Sequence, residues 1–465
     1  MSLPTPSPPC GPRRHRARGA TRALLAAAWL VAFPALGATA GVEAAGPGCG
    51  PIDPDVPMTL ATVAEPGVAP SAPGRAGPGA IVPLPSAPAT QHPTAEPGEA
   101  LLALPKGPDG SIPTDFELAP GAAVADSFFS PVVCATVVRV VGPPDATPAS
   151  LVTRLPPTAL AVPNHVYLTA ADTVRPLDPP PTGRPDPYAS LQWGLARSGA
   201  ERAWAVSDGR GARVALLDSA PDTSHRDLIG VRRVPLPGAK RSAPAVHGTL
   251  MAGVVRALAN NGFGIAGIAP GADVFDVPVC RPTGAGASDE CPLFDLLRGI
   301  DVAWQEHAQI VNLSLVGPPN PLLRKAMDRL EQLDVVAVAA AGNEGVSEPR
   351  YPAAYPSVVG VGAVDREGHP YVHGNRGPSV EVLAPGVEVL STVPHDGFAF
   401  GDGTSLAAAH VTGVLALAVA AGGDPLAART AFFAAAQARN VSPGNDPAPL
   451  PTACDVLARL GRPCH

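Results

Sequence analysis

The chain is short of three things that would each have indicated a function. It has no surplus of positive charge: its formal net charge is −7, which gives no reason to expect nucleic acid or an anionic membrane surface as a partner. It has no Cys-x-x-Cys pair among its 7 cysteines, and their wide spacing disfavours a structural zinc site. Its apolar stretch after residue 403, "TSLAAAHVTGVLALAVAAGG", is interrupted by Gly413 and carries His410, so it reads as a buried helix and not a membrane span. A fourth absence concerns Ser405 at the head of that stretch. No Gly-x-Ser-x-Gly elbow surrounds it, which disfavours an ordinary lipase or esterase.

The N-terminus carries an address. Arg13, Arg14, Arg16, Arg18 and Arg22 precede the apolar "ALLAAAWLVAFPALG" and the small-residue exit "ATAG". This pattern predicts a signal peptide over residues 1–40 cleaved after Ala40, and hence a secreted or periplasmic protein with no stable membrane anchor after cleavage. Pro34 and the small exit argue against a permanent anchor. Export permits disulfides. Cys10 leaves with the signal and Cys49 and Cys134 lie in the N-terminal half. The four C-terminal cysteines form two close pairs, whose simplest connectivity of three is Cys280 to Cys291 and Cys454 to Cys464.

Composition then divides the chain of 465 residues. Residues 41–98 form a linker in which roughly one residue in four is proline, too rich to pack a core. Residues 99–172 regain structure. "EALLALP", "VVCATVVRVV" and "HVYLTA" read as strands, and "DATPASLVTRL" as a helix capped by Thr147 with Pro148 behind it and apolar Leu151, Val152 and Leu155. Residues 173–185 read as a second proline-rich linker. Over residues 186–465 short apolar strands ("ARVALLD", "IVNLSLVG", "VVAVAAAGN", "SVVGVGAV") alternate with helical patterns ("LFDLLRGIDVAW", "NPLLRKAMDRLEQLD"). That alternation predicts an α/β fold with a doubly wound parallel sheet, preceded by a small α+β domain. Ligand sites in such sheets lie beyond the C-terminal strand ends.

Polar residues fall where those ends should be. Asp218 closes "VALLD", His247 opens "HGTLMAGVV", Asn343 follows "VAVAAAG", and Ser405 heads the buried helix. Taken singly, each is an ordinary cap or turn residue. Together they supply a nucleophile, a base within reach, a carboxylate to orient the base and a donor for an oxyanion. They also stand in the order Asp, His, Ser.

With "HGT", "NLSL", "AAAGNEG", "YPSVVGVGAVD", "VLAPGV" and "GTSLAAAHVTG" in sequence, the region from about Asp186 to Ala420 resembles the subtilisin-like serine proteases. Its opening "PDPYASLQWGLARSGAERAWAVSDGRGARVALLD" looks closest to their thermitase-like branch. The resemblance implies a serine endopeptidase acting on polypeptides, with Asp218, His247 and Ser405 as triad and Asn343 with the Ser405 N–H as oxyanion hole. It implies a groove formed by Ser314, Leu315, Val316, Gly317, Ala340 and Gly342, whose edge would add an extended peptide as a strand. No cofactor is implied for the chemistry. A structural calcium is, matched by Asp186, Asp227 and Asn261. The 99–172 unit resembles the family's propeptide, making the chain's own N-terminal unit a partner and the protein a self-processed zymogen. A mature form would begin between Ala171 and Asp186.

Three departures stand out. Ala220 replaces a usual glycine and would be strained if that position required φ > 0. Leu250 and Ala409 replace a usual histidine and proline. Val316 replaces a usual glycine of the groove, where a branched side chain should narrow access. The Asn-x-Ser matches at Asn312 and Asn440 carry no weight as glycosylation sites. Two other readings remain: a non-catalytic binding protein that retains a protease fold, and an esterase using the same triad, separable by assaying peptide against ester substrates.

Overall fold

The runs of β-branched and small apolar residues in the second half form strands buried on both faces, as a parallel sheet requires. The computed structural model describes residues 94–105, 114–170, 173–177, 186–238, 242–283, 288–439 and 447–464. Eight strands pair in the order Ala448–Pro449, Val382–Pro385, Val358–Val364, Val336–Ala340, Ile310–Leu313, Arg213–Asp218, Asp273–Pro278, Arg232–Arg233, all parallel. The chain starts in the middle with Arg213–Asp218, builds outward to one edge, then returns and builds towards the other. The crevice at this reversal lies between Arg213–Asp218 and Ile310–Leu313, where a doubly wound sheet exposes its strand ends to a ligand.

Two expected helices occur with their expected limits. Asn320 caps Pro321–Gln332 by accepting from the Leu322 and Leu323 N–H groups. Leu293–Gln305 buries its apolar stripe. Helix Thr404–Ala420 is buried on every side except its last residue, as an all-apolar helix must be. It lies against five strands of the sheet and against helices Trp193–Ser198, Val246–Arg256, Pro425–Arg439 and Ala453–Arg459. No helix among the described residues is long and apolar enough to cross a membrane.

The N-terminal unit is antiparallel. Ala95–Pro105 pairs with Ala135–Val141 on one side and Leu160–Thr169 on the other, and Ala123–Ser130 closes the outer edge. That last strand was not expected. The expected helix is shorter than its apolar spacing suggested. Thr147 forms a capping box with Ser150, but the helix ends at Leu151. Val152–Arg154 instead pairs with Glu117–Leu118, because β-branched residues there gain a cross-strand partner. The second linker is also more ordered than expected: Thr173–Pro176 pairs antiparallel with Gly397–Asp402.

Disulfides join Cys280 to Cys291 and Cys454 to Cys464, the neighbour pairing expected from spacing. Ala220 is buried and is not among the described non-glycine residues with positive φ, so the alanine there imposes no backbone strain. Leu250 and Ala409 are wholly buried in the apolar core, and Asn312 is buried as well. The signal peptide, most of the first linker, residues 178–185, Cys10, Cys49 and Asn440 lie outside the described residues.

Candidate active site

Each of the four polar residues is mounted by an element that has a packing reason to be there. Asp218 ends the central strand Arg213–Asp218. His247 is the second residue of helix Val246–Arg256, held close by Gly248, where any Cβ would run into the Ser219 carbonyl. Ser405 is the second residue of the buried helix. Asn343 follows the strand Val336–Ala340.

The side chains converge. His247 Nδ1 lies 2.7 Å from Asp218 Oδ1, and His247 Nε2 lies 3.1 Å from Ser405 Oγ. A carboxylate only accepts, so Nδ1 carries the proton and Nε2 is left free to take one from the serine. Asp218, His247 and Ser405 are all buried. Burial is the largest influence on His247 and pulls its pKa down. The Asp218 charge, its hydrogen bond and the Asp289 charge more than offset this, and the net shift is upward. An imidazolium is therefore stabilised where a proton would arrive.

The chain itself occupies the crevice. Leu160–Thr169 runs antiparallel between Glu290–Pro292 and Leu315–Val316, with Cys291 opposite Tyr167, Val316 opposite Leu168 and Leu315 opposite Thr169. Ala170 follows; its N–H donates to the Ser314 carbonyl at 3.1 Å. The Ala170 carbonyl oxygen accepts from Asn343 Nδ2 at 2.6 Å and from the Ser405 N–H at 3.2 Å. Those are the two groups named from sequence as oxyanion donors, and both are aimed at one carbonyl of a peptide bond.

Of the expected groove residues, Ser314, Leu315 and Val316 flank the bound strand, and Gly317 lies against the Tyr167 ring. Ala340 is paired with Val361 inside the sheet. Gly342 donates to Thr404 Oγ1. Three further residues escaped the sequence reading. Thr404 donates twice to Asn343 Oδ1, at 3.0 Å from its N–H and 2.9 Å from its hydroxyl, which turns the amide N–H₂ towards Ala170. Buried Asn375 pins the loop after the strand by accepting from Glu344 and Val346 and donating to Ala341. Asp289 adjoins the bound strand and the Ser219 hydroxyl. The one available signal was the Thr preceding Ser405. Single polar residues such as Asp289 and Asn375 carry none.

Asp186, Asp227 and Asn261 are neighbours away from the triad. Asn261 Nδ2 donates to Asp227 Oδ1 at 2.7 Å, Ile265 N–H donates to Asp227 Oδ2, and Asp186 accepts from the Asn260 and Gly262 N–H groups. Burial, chiefly, and the nearby Asp186 charge raise the Asp227 pKa to about 7, against the effect of its hydrogen bonds. Two neighbouring buried carboxylates suit a hard cation. Asn261 suits it only with its amide reversed, since N–H and not oxygen now faces Asp227.

Comparison with known proteins agrees with this architecture. The profile of the subtilase family matches residues 209–440. Subtilisin E of Bacillus subtilis (strain 168) is 36% identical over 217 residues, 45% of this chain and 55% of the relative. The chain thus spans little more than half the length of that relative. Thermitase of Thermoactinomyces vulgaris is 34% identical over 247 residues, 51% of this chain and 85% of the relative. Among solved structures, that of the prenylagaramide maturation protease PagA superposes with a TM-score of 0.50 and 29% identity, covering 56% of this chain and 98% of the other.

Proposed function

This chain belongs to the subtilase family, and from that premise we propose that it is an exported serine endopeptidase that first cuts its own chain after Ala170. The observation that carries the reading is the Ala170 carbonyl held between Asn343 Nδ2 and the Ser405 N–H, beside a serine hydroxyl within hydrogen-bond reach of His247.

The chemistry follows from the contacts. Ser405 Oγ attacks the carbonyl carbon while its proton passes to His247 Nε2. Negative charge moves onto the carbonyl oxygen, where the two donors already point and need not reorganise. Asp218 holds the imidazole in the useful tautomer and stabilises the cation. Collapse of the tetrahedral intermediate breaks the C–N bond, and His247 returns the proton to the leaving amine. Water then hydrolyses the acyl-enzyme by the same steps in reverse roles. In this reading residues up to Ala170 are a propeptide that fills the groove until it is cut and released. Thereafter the groove takes other polypeptides.

Self-processing predicts a wild-type protein beginning at Ala171 and a Ser405→Ala protein that persists as the longer form. N-terminal sequencing of both decides it: equal trimming of the two would sink self-processing. The signal-like N-terminus supports export to a secreted or periplasmic location. For calcium, Asp186, Asp227 and Asn261 would hold the ion, which would supply charge balance and rigidity and take no part in the reaction. Chelation should then lower the thermal midpoint of the mature protein, with recovery on calcium addition. An unchanged midpoint would remove the ion from the account.

A further inference from the structure

The strand in the crevice also shows what the crevice prefers. Resting on the reading of the site as a peptidase, we propose that its substrates are extended polypeptide segments with a small residue, alanine foremost, on the acyl side of the cut and a tyrosine three residues before it, and that Val316 and Gly317 enforce this choice.

Tyr167 is wholly buried, though it belongs to a strand that must eventually leave. It sits in the same apolar cluster as Leu315, Cys291 and Leu293, and its hydroxyl donates to the Pro318 carbonyl at 3.0 Å. The floor beneath the ring is Gly317, where a Cβ would collide with the ring carbons. A pocket that accepts a large apolar body and also pairs its terminal hydroxyl discriminates on both counts. An aliphatic residue leaves space, and phenylalanine leaves the carbonyl without its donor. The pocket is anchored: Gly317 is bridged to Tyr351 in both directions.

Ala170 has the opposite surroundings. It is buried and shares its apolar cluster with Val316. Side chains alternate along an extended segment, so Leu315 falls with Tyr167 in one cluster and Val316 with Ala170 in the other. Val316 is itself buried and paired through its backbone opposite Leu168, so it cannot swing aside without breaking the strand that holds the peptide. The chain solves the fit with a one-carbon side chain at 170. Between the two anchors Leu168 is half-buried and less constrained, while Thr169 is buried and its hydroxyl accepts from the Asp289 backbone N–H.

The test uses the full-length protein after incubation to completion of processing, with quenched fluorescent peptides. The parent peptide carries residues 164–174, "NHVYLTAADTV". A second has Ala in place of the tyrosine, and a third has Phe in place of the alanine before the cut. Hydrophobic pockets discriminate by roughly 10–200-fold, so each change should lower kcat/KM by about that factor. In Val316→Gly the Phe peptide should recover most of its loss. In Gly317→Ala the parent should fall to the level of the tyrosine-less peptide. Equal cleavage of all three peptides by wild type, with Ser405→Ala inactive, overturns the preference and leaves the peptidase reading intact. Retention of the full discrimination against Phe in Val316→Gly, folded by its thermal melt, overturns the role of Val316. No cleavage of any peptide, together with no labelling of Ser405 by a fluorophosphonate, overturns both. The wild-type peptide series needs no variant to fold and decides the preference by itself.

Discussion

The N-terminal unit and the catalytic unit bury their strands in different ways, and that difference bears on how the protein works. In the catalytic unit the parallel strands are covered on both faces by the unit's own helices. In the N-terminal unit the strands Ala95–Pro105, Ala135–Val141 and Leu160–Thr169 split their side chains between two owners. Leu102, Leu104, Val138, Val140 and Leu151 form a small core of the unit's own. Leu101, Ala103, Val137 and Val162 lie in the core of the catalytic unit with Phe294, Leu296 and Ile300. Polar contacts follow the same division. Ser130 Oγ and the Val132 N–H donate to buried Asp301, and Arg298 pairs with Asp126. A sheet that buries one face against a neighbour loses that burial when it undocks. Under the self-processing proposed above, that property suits a segment released after the cut.

The largest expected effect confines itself to one side of this comparison. Loss of the serine or histidine of a subtilisin-type triad costs roughly a millionfold in kcat, a magnitude taken over from that family. His247→Ala or Ser405→Ala should do the same here while leaving docking unchanged. A detached N-terminal unit in either variant, seen by size-exclusion chromatography, would show that scission is not what frees it.

Next comes Asn343→Ala. Removing one oxyanion donor costs roughly 10²–10³ in kcat in the same family. Here it also removes the shorter of the two contacts to Ala170, so processing should slow by a similar factor in a time course of the precursor. Processing at the wild-type rate would place that carbonyl elsewhere during the reaction.

The two faces of the N-terminal unit can be separated by adjacent residues. Large-to-small changes of buried leucine cost about 2–5 kcal/mol. Leu102→Ala should unfold the unit's own core. Leu101→Ala should chiefly weaken its hold on the catalytic unit. In the Ser405→Ala background, hydrogen exchange should rise across the whole N-terminal sheet for the first, and on its inner face together with helix Leu293–Gln305 for the second. Identical patterns would erase the distinction between the two cores.

The smallest effect concerns pH. His247 acts as a base only when neutral, so activity rises as pH passes upward through its pKa. That pKa is lowered by burial but raised further by Asp218 and then by Asp289. Asp289→Asn removes the last contribution, and the acid limb of kcat/KM should move to lower pH. An unmoved limb would mean that solvent screens the pair once the propeptide leaves.

Much of the catalytic unit was legible because its signals are local. A run such as "VALLD" permits little except a buried strand, and Asn320-Pro321 starts a helix wherever it stands. The N-terminal unit was read less well for the converse reason. Ala123–Ser130 carries Asp126 and Ser127 among its apolar residues and becomes a strand by pairing with Ala135–Val141. Thr173–Pro176 is exposed along its length and is a strand only because Gly397–Asp402 offers an edge. Asp289 and Asn375 were invisible for a related reason: each acts through a partner remote in sequence.

From sequence alone came the four polar residues that converge at the strand ends, their order and the sheet that mounts them, because backbone periodicity and side-chain chemistry are properties of short stretches. Tertiary structure alone decided which peptide bond meets them. Antiparallel strands can slip, and nothing within "NHVYLTA" states which carbonyl should lie beneath Asn343. The register is set by Tyr167 finding a pocket floored by Gly317 and by the Ala170 N–H donating to the Ser314 carbonyl. Those contacts join residues about 150 positions apart, and only the packed chain brings them together.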